Sequence, residues 1–243
     1  MRVEIADYVE GARAARGVVV VIDVFRAFTV ACHAMARGAA RIIPVAGIEE
    51  ARALKRTHPD WLTAGERHAR RLDGFDFGNS PTEIDRAELA GRTLVHTTHS
   101  GTQGLANATQ ADVVLTGALV NAAAVCRAIQ ALHPSHVTLV RMGHEAQSSC
   151  AGDDACAELL AARLAGRDPD VRGLRERLRS APSLARFFDS AAPWAPESDF
   201  DLATRVDVFD FALQLVPDTC NPAIRAADAN CKIASIRYLT RLS

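Results

Sequence analysis

A chain of 243 residues with 49% apolar and 23% charged side chains has the make-up of a globular protein large enough to bury a core. Its formal charge is −1, so no global positive field draws it to nucleic acid or an acidic membrane, and any anion must be caught by a local site. No apolar h-region opens the sequence and no apolar run approaches the length that spans a bilayer, so a soluble, cytoplasmic protein is expected.

Residues 18–22 are a continuous β-branched run that ends at Asp23, which suits a strand buried on both faces. Residues 28–37 read as a helix ended near Gly38, and 41–45 as a short strand whose Pro44 marks an end or an edge. A second helix follows at 48–57, then a strand at 93–97 and a helix at 101–109. Two more strands, 113–116 and 137–140, flank an Ala-rich helix, 122–132, with Asn121 as its cap. The last clear helix is 155–164. This rhythm predicts a three-layer α/β/α fold with a largely parallel sheet and a more helical C-terminal part. One α/β domain over residues 1–243 is expected, with any lobe boundary near 166. Beyond Gly166, residues 168–186 are rich in Arg, Asp and Pro with helical pieces, and 190–199 read as a loop. Residues 206–215 are apolar enough to pack on the core, and 233–239 read as a final strand. The six cysteines are scattered with no CxxC pair, which disfavours a zinc ribbon; Cys32 and Cys126 read as buried hydrophobes. Cys150 and Cys156 are near neighbours, but a reducing cytoplasm argues against a disulfide.

Four segments carry chemistry. In the first, Asp23 ends a buried strand and Arg26 stands in the turn that follows. Strand carboxyl ends form the ligand crevice of open α/β sheets. An Asp there binds a metal or attacks an electrophile, and an Arg there clamps phosphate or sulfonate with two parallel hydrogen bonds. A simple Asp–Arg pair that fixes the turn accounts for these two residues equally well. In the second, residues 65–81 make a long link that carries Glu66, Arg67 and His68, then a glycine-punctuated stretch anchored by Phe75 and Phe77. Arg70 and Arg71 read as solvated. Ser80, Pro81 and Glu83 fit a capping box, which leaves Asn79 over for an anion at the helix N-terminus.

In the third, Thr97-Thr-His-Ser-Gly-Thr102 sets four hydroxyls and a glycine at a strand-to-helix turn, where Gly101 lets an anion approach the backbone. Ser100 and Gln103 again match a capping box, yet a phosphate cradle explains the crowd of hydroxyls better. The segment is not a Walker A loop, because the Gly-Lys-Ser/Thr is missing. In the fourth, Asp153 and Asp154 lead into the helix at 155, where the helix dipole alone would favour them. Hard Mg²⁺ prefers carboxylates with water and substrate oxygens, and Asp23, Glu66, Asp153 and Asp154 are the acids placed to supply them.

These segments carry a resemblance. DVFRA at 23–27, GE at 65–66 with GFDFGNSP at 74–81, THSGT at 98–102 and the acidic pair at 153–154 occur in this order. The sequence resembles the 2-phosphosulfolactate phosphatase family, typified by the archaeal coenzyme M pathway, over about residues 18–165. The resemblance implies a three-layer α/β fold and Mg²⁺-dependent hydrolysis of a phosphate ester that also bears sulfonate and carboxylate. Where the family commonly shows Thr-Thr-Asn-Gly-Thr, this chain has His99 for a hydroxyl and Ser100 for the amide, and Asp153-Asp154 stands where Glu-Asp is usual.

The expected site therefore has Asp23, Arg26 and Glu66 as catalytic residues and Asp23, Asp153 and Asp154 as Mg²⁺ ligands. Asn79, Ser80, Thr98, Ser100, Gly101 and Thr102 are expected to bind substrate. Whether Asp23 attacks phosphorus or only holds metal is open at this point. The expected partner is a small anionic phosphate ester, with no nucleic acid, no membrane and room for a homodimer. Two other readings stand beside it: a phosphatase of another small anionic ester such as phospholactate or phosphoglycerate, and a non-catalytic protein that binds an anionic metabolite.

Overall fold

The computed structural model describes residues 1–217 and 237–242. Its spine is the buried strand β2 (Gly17–Ile22), flanked in parallel by β7 (Ala111–Gly117) and β8 (His136–Arg141), with β1 (Arg2–Asp7) beyond β8. A second parallel set is β3 (Arg41–Pro44), β6 (Thr93–Thr97) and β4 (Leu62–Arg67), to which the two-residue β5 (Arg70–Arg71) adds a hairpin. The antiparallel pair β9 (Ala212–Pro217) and β10 (Arg237–Leu242) joins the sets, β9 beside β7 and β10 beside β3. The result is one ten-strand ladder in the order β1-β8-β2-β7-β9-β10-β3-β6-β4-β5. Parallel pairing links seven of these strands, so the expected α/β class and largely parallel sheet are found among the described residues.

Side-chain alternation explains how the ladder is covered. Val18, Val20 and Ile22 of β2 pack into a core with α6 (Ala122–Ala131) and α7 (Ala151–Leu164). Val19 and Val21 face the other way, into a core shared with α2 (Ala27–Ala36), Leu105 of α5 (Gly101–Asn107), Ile42 of β3 and Leu94 of β6. Ile43 and Val95 point outward again, against Ala51 and Leu54 of α3 (Ile48–Thr57). Both strand sets thus share one central core, and the ladder curls around it. Three antiparallel steps separate β7 from β3, so the ends of the two sets meet through this curl and not along one straight rim.

The element boundaries differ from the sequence reading in instructive places. β1 carries no strong strand signal, because it is an edge strand and most of its residues are exposed. It is followed by α1 (Tyr8–Ala14). The segment 65–81 is not one loop: β4 continues to Arg67, and His68 and Ala69 turn the chain into β5. Both turn residues take positive φ, 53° and 62°, as a type I′ hairpin requires. α7 begins at Ala151, so Asp153 and Asp154 sit inside its first turn. The remaining elements are α4 (Pro81–Asp85), α8 (Leu174–Arg179), a 3₁₀ turn (Pro182–Phe188) and α9 (Glu197–Ala203). Leu174, Leu178, Phe187 and Phe200 of this last stretch share the core of β2, α6 and α7. The expected strand at 233–239 is described only from Arg237, and residues 233–236 lie outside the described residues. Cys32, Cys126, Cys150 and Cys156 are buried free thiols, while Cys220 and Cys231 lie outside the described residues. No described helix is long and apolar enough to cross a membrane.

Candidate active site

β2 is buried on both faces, so the residue after it, Asp23, is carried into the interior. Its Oδ1 accepts the Ala27 amide at 3.1 Å, and the Gly101 amide also donates to it. Loss of solvent pushes its pKa from 3.8 up to about 6; the Ala27 and Gly101 amides resist the rise and the Glu66 carboxylate adds to it. A Cβ on Gly101 would stand 2.7 Å from the Ala27 Cβ and 2.8 Å from Asp23 Oδ2. Only glycine lets the start of α5 close down on this acid.

Glu66, at the end of β4, is also buried. Its Oε1 accepts the His99 amide and its Oε2 the Ala69 amide, each at 2.8 Å. One carboxylate thus ties the β4–β5 turn to the β6–α5 turn. Asp23 and Glu66 line a single polar pocket together with Arg26, Asn79, Ser100 and Arg186, among others. A roomier groove of about 390 Å³ lies elsewhere, lined by Ile5, Leu159, Leu174 and Arg177. Its lining is mostly apolar and brings no pair of buried acids together, so chemistry favours the polar pocket.

Two arginines face the acids, and they differ. Arg26 is almost fully buried and spends its Nη atoms on protein: Asp199 Oδ2 at 2.6 Å, the Trp194 carbonyl at 2.9 Å and the Ala69 carbonyl at 2.9 Å. Asp199 in turn accepts the Ser80 hydroxyl at 2.7 Å and the Thr82 amide at 3.1 Å. Arg186 keeps more in reserve. It makes long contacts to His144 Nδ1 at 3.3 Å and the Phe25 carbonyl at 3.4 Å, and its buried Nε has no partner. Burial lowers its pKa, with opposition from the acids of the pocket.

Asn79 accepts a hydrogen bond on Oδ1 from His96 Nε2, 3.1 Å away. Burial pushes the His96 pKa down to about 4, so the ring is neutral and serves as donor, and the Asn79 amide is left to offer its own N–H groups.

The structure brings Asp23, Arg26, Glu66, Asn79 and Ser100 to one pocket, with Gly101 against Asp23. Other expected site residues have different partners. The Thr102 hydroxyl accepts the Thr98 amide and donates to the Thr98 carbonyl, while the Thr98 hydroxyl accepts the Thr102 amide. Ser100 does not form a capping box with Gln103: its hydroxyl accepts the Ala146 amide, and Gln103 donates to the Ala46 carbonyl. Ser80 does cap α4, accepting the Glu83 amide at 3.3 Å, but Glu83 reaches the Gly78 amide and not that of Ser80. Asp153 is buried with both oxygens taken by amides, Val24 at 2.8 Å and Gly143 at 2.7 Å; burial and the nearby Asp23 charge raise its pKa. Asp154 pairs with Arg141 at 2.9 Å, and neither of these acids lines the pocket. Among the described residues, the three metal-capable side chains that converge within 4.8 Å are instead His68, His99 and Glu145, at the pocket's rim.

A family profile described as 2-phosphosulpholactate phosphatase matches residues 4–191. The chain belongs to the 2-phosphosulfolactate phosphatase family. A Deinococcus radiodurans protein is 34% identical over 226 residues, covering 85% of this chain and 90% of its own. A Synechococcus protein is 37% identical over 174 residues, 70% of this chain and 71% of its own. A Bacillus subtilis protein is 29% identical over 208 residues, 84% and 90% respectively. All three carry the name "probable 2-phosphosulfolactate phosphatase". Family membership makes the chain a phosphoric monoester hydrolase.

Sequence reasoning missed Arg186, His144, Asp199 and the Glu145 loop. The only signal for Arg186 is an arginine set between Leu184 and Phe187 in a short apolar turn. Nothing local marks Asp199, whose role exists only through its contact with Arg26.

Proposed function

We propose that this enzyme hydrolyses 2-phosphosulfolactate to 3-sulfolactate and phosphate with the aid of Mg²⁺. The observation that carries this reading is the pocket itself: two buried acids, a half-buried arginine whose buried Nε is unpartnered, and an amide held by a neutral histidine. The names of the relatives support the same substrate. Asp23 and Glu66 offer hard oxygens beside each other, and the mutual repulsion that helps raise the Asp23 pKa is the kind a cation relieves. This donor set suits Mg²⁺ better than Asp153 or Asp154, neither of which lines the pocket. When bound, Mg²⁺ would offset phosphate charge and polarise its oxygens.

The chain's own groups then divide the work. Arg186 would pair with the equatorial phosphoryl oxygens as charge develops on them. Asn79 and the Ser100 hydroxyl would donate to the remaining anionic groups, while Arg26 fixes the wall of the pocket through Asp199. Thr98 and Thr102 hold the turn that carries Ser100 and Gly101. A water attacks phosphorus and gives up a proton, the phosphorus–ester oxygen bond breaks, and the departing sulfolactate oxygen takes up a proton in turn, so that an alcohol and hydrogen phosphate leave the site. Asp23 serves in its ionised form. A phospho-Asp23 trapped on acid quench would replace water attack by direct attack of this carboxylate. The pathway reading that comes with this substrate is coenzyme M-type sulfonate metabolism in a cytoplasmic setting.

The test is phosphate release from racemic 2-phosphosulfolactate, with and without Mg²⁺, beside phospholactate and beside Asp23→Asn. Mg²⁺-dependent release that prefers the sulfonate and vanishes in the variant supports the reading. Equal or faster turnover of phospholactate would move the substrate, and saturable binding without release would move the protein to a metabolite-binding role.

A further inference from the structure

The polar pocket leaves one convergent group unused. His68, in the β4–β5 turn, His99, in the β6–α5 turn, and Glu145, in the loop between β8 and α7, come together at its rim. Their ligand atoms all lie within 4.8 Å of one another. His68 Nδ1 stands 2.7 Å from Glu145 Oε1, His99 Nδ1 stands 4.0 Å from the same oxygen, and the two imidazole rings meet edge to face at 5.1 Å. The His99 Nδ1 is buried and has no hydrogen-bond partner. None of these three side chains has a task in the hydrolysis described above.

We infer that His68, His99 and Glu145 form a second cation site, selective for a borderline transition ion of the Zn²⁺ class and separate from the Mg²⁺ acids. Two imidazoles and one carboxylate make a recurring donor set for Zn²⁺, and one that hard Mg²⁺ does not favour. Zinc–ligand bonds of about 2.0–2.2 Å put tetrahedral ligand atoms about 3.3 Å apart, so the three groups need to close by only ~1.5 Å or less. His68 is mostly exposed and has the freedom to make that movement. Three protein ligands leave a fourth position for water or for an anionic oxygen of a molecule in the pocket.

The backbone is arranged to present these side chains. His68 and Ala69, and Glu145 and Ala146, hold φ values of 53°, 62°, 53° and 55°, a region that non-glycine residues seldom enter. Their loops are locked to the same turn: Glu66 binds the Ala69 and His99 amides, and Ser100 binds the Ala146 amide. A cation held by His68, His99 and Glu145 would therefore staple three separate loops across the entrance and slow exchange through it. The inference is independent of which phosphate ester is hydrolysed.

Calorimetric titration of the chelator-treated full chain with Zn²⁺ is the test, with Mg²⁺ titrated in parallel. One saturable Zn²⁺ site per chain is expected, weakened about tenfold or more by His68→Ala and by Glu145→Gln, and not displaced by Mg²⁺. His68 does not line the pocket, so His68→Ala keeps its fold and its Mg²⁺-dependent turnover. At the same Zn²⁺ concentration, the melting temperature of the parent chain should rise more than that of His68→Ala. No saturable site, or a site of equal affinity in both variants (as the cysteines would give), overturns the inference. Neither readout involves phosphate release, so its failure is distinct from failure of the phosphatase reading.

Discussion

Asp23 shows what burial does to one acid. A carboxylate moved from 3.8 to about 6 favours the folded chain when protonated. That contribution is complete below pH 3.8 and is lost as the pH rises through about 6. Asp23→Asn removes the cost of the buried charge. The metal-free variant should be more stable than the parent by up to about 3 kcal/mol at pH 8, with no gain at pH 3.5, as read by urea unfolding. It should at the same time lose turnover almost completely. The parent's turnover should fall as the pH drops through about 6, because the working form is the carboxylate; Mg²⁺ would push that limb lower still. Arg186 gives the complementary prediction. Loss of a charged hydrogen bond costs about 1.5–3 kcal/mol, so Arg186→Ala should lower kcat/KM about ten- to a hundredfold, mostly through kcat, with Arg186→Lys recovering part of it. Asp23 could be found in the sequence because it ends an apolar strand, and Glu66 because it opens a long polar link that a compact fold rarely keeps without a task. Arg186 could not, because the facts that matter, an unpartnered Nε and a place in the same pocket as two acids, exist only after the chain has folded.

The elements that carry the site are turns between strands and helices, and their hydrogen bonds were less legible than their positions. A cluster of hydroxyls at residues 97–102 reads as a phosphate cradle. In the structure two of them close the turn on themselves, and a third holds a neighbouring loop. A hydroxyl pattern fixes how many bonds are available and not where they go. The glycine between them was legible for a better reason, since a strand-to-helix turn with a close approach excludes a side chain. Gly101→Ala should leave a folded protein that has lost about 1–3 kcal/mol of stability to overpacking, and most of its activity, because the new methyl group displaces Asp23. Gly143 in the β8–α7 loop is stricter: φ is +65° and a Cβ would collide with the Ser148 carbonyl oxygen. The edge strand β1 went unread because its alternation is only two apolar residues long, Val3 and Ile5, among exposed polar neighbours.

At the scale of the molecule, the expected βα rhythm and the layered class were legible, since buried strands and amphipathic helices announce their periods. The curl of the ladder was not, because strand order depends on pairings between residues far apart in sequence. Nor was the reach of the C-terminal third. Its charged texture reads as surface, yet it supplies Arg186 to the pocket and Asp199 to Arg26. The Arg26–Asp199 pair is fully buried, and removal of one partner leaves an unpaired charge in the interior. Asp199→Asn should therefore cost about 3–5 kcal/mol in urea unfolding, since its amide oxygen can still accept from Ser80 and Thr82 but its NH2 would face the Arg26 guanidinium.

The position of β10 has a consequence for how the protein is made. It is the last strand described, yet it lies between β9 and β3 in the middle of the ladder. During synthesis both strand sets emerge long before the piece that joins them: β7 keeps an unpaired edge until β9 follows it out, and β3 until residue 237 has left the ribosome. A nascent chain stalled short of that point should be captured by chaperones or aggregate, and the released protein should acquire activity only after β10 is inserted.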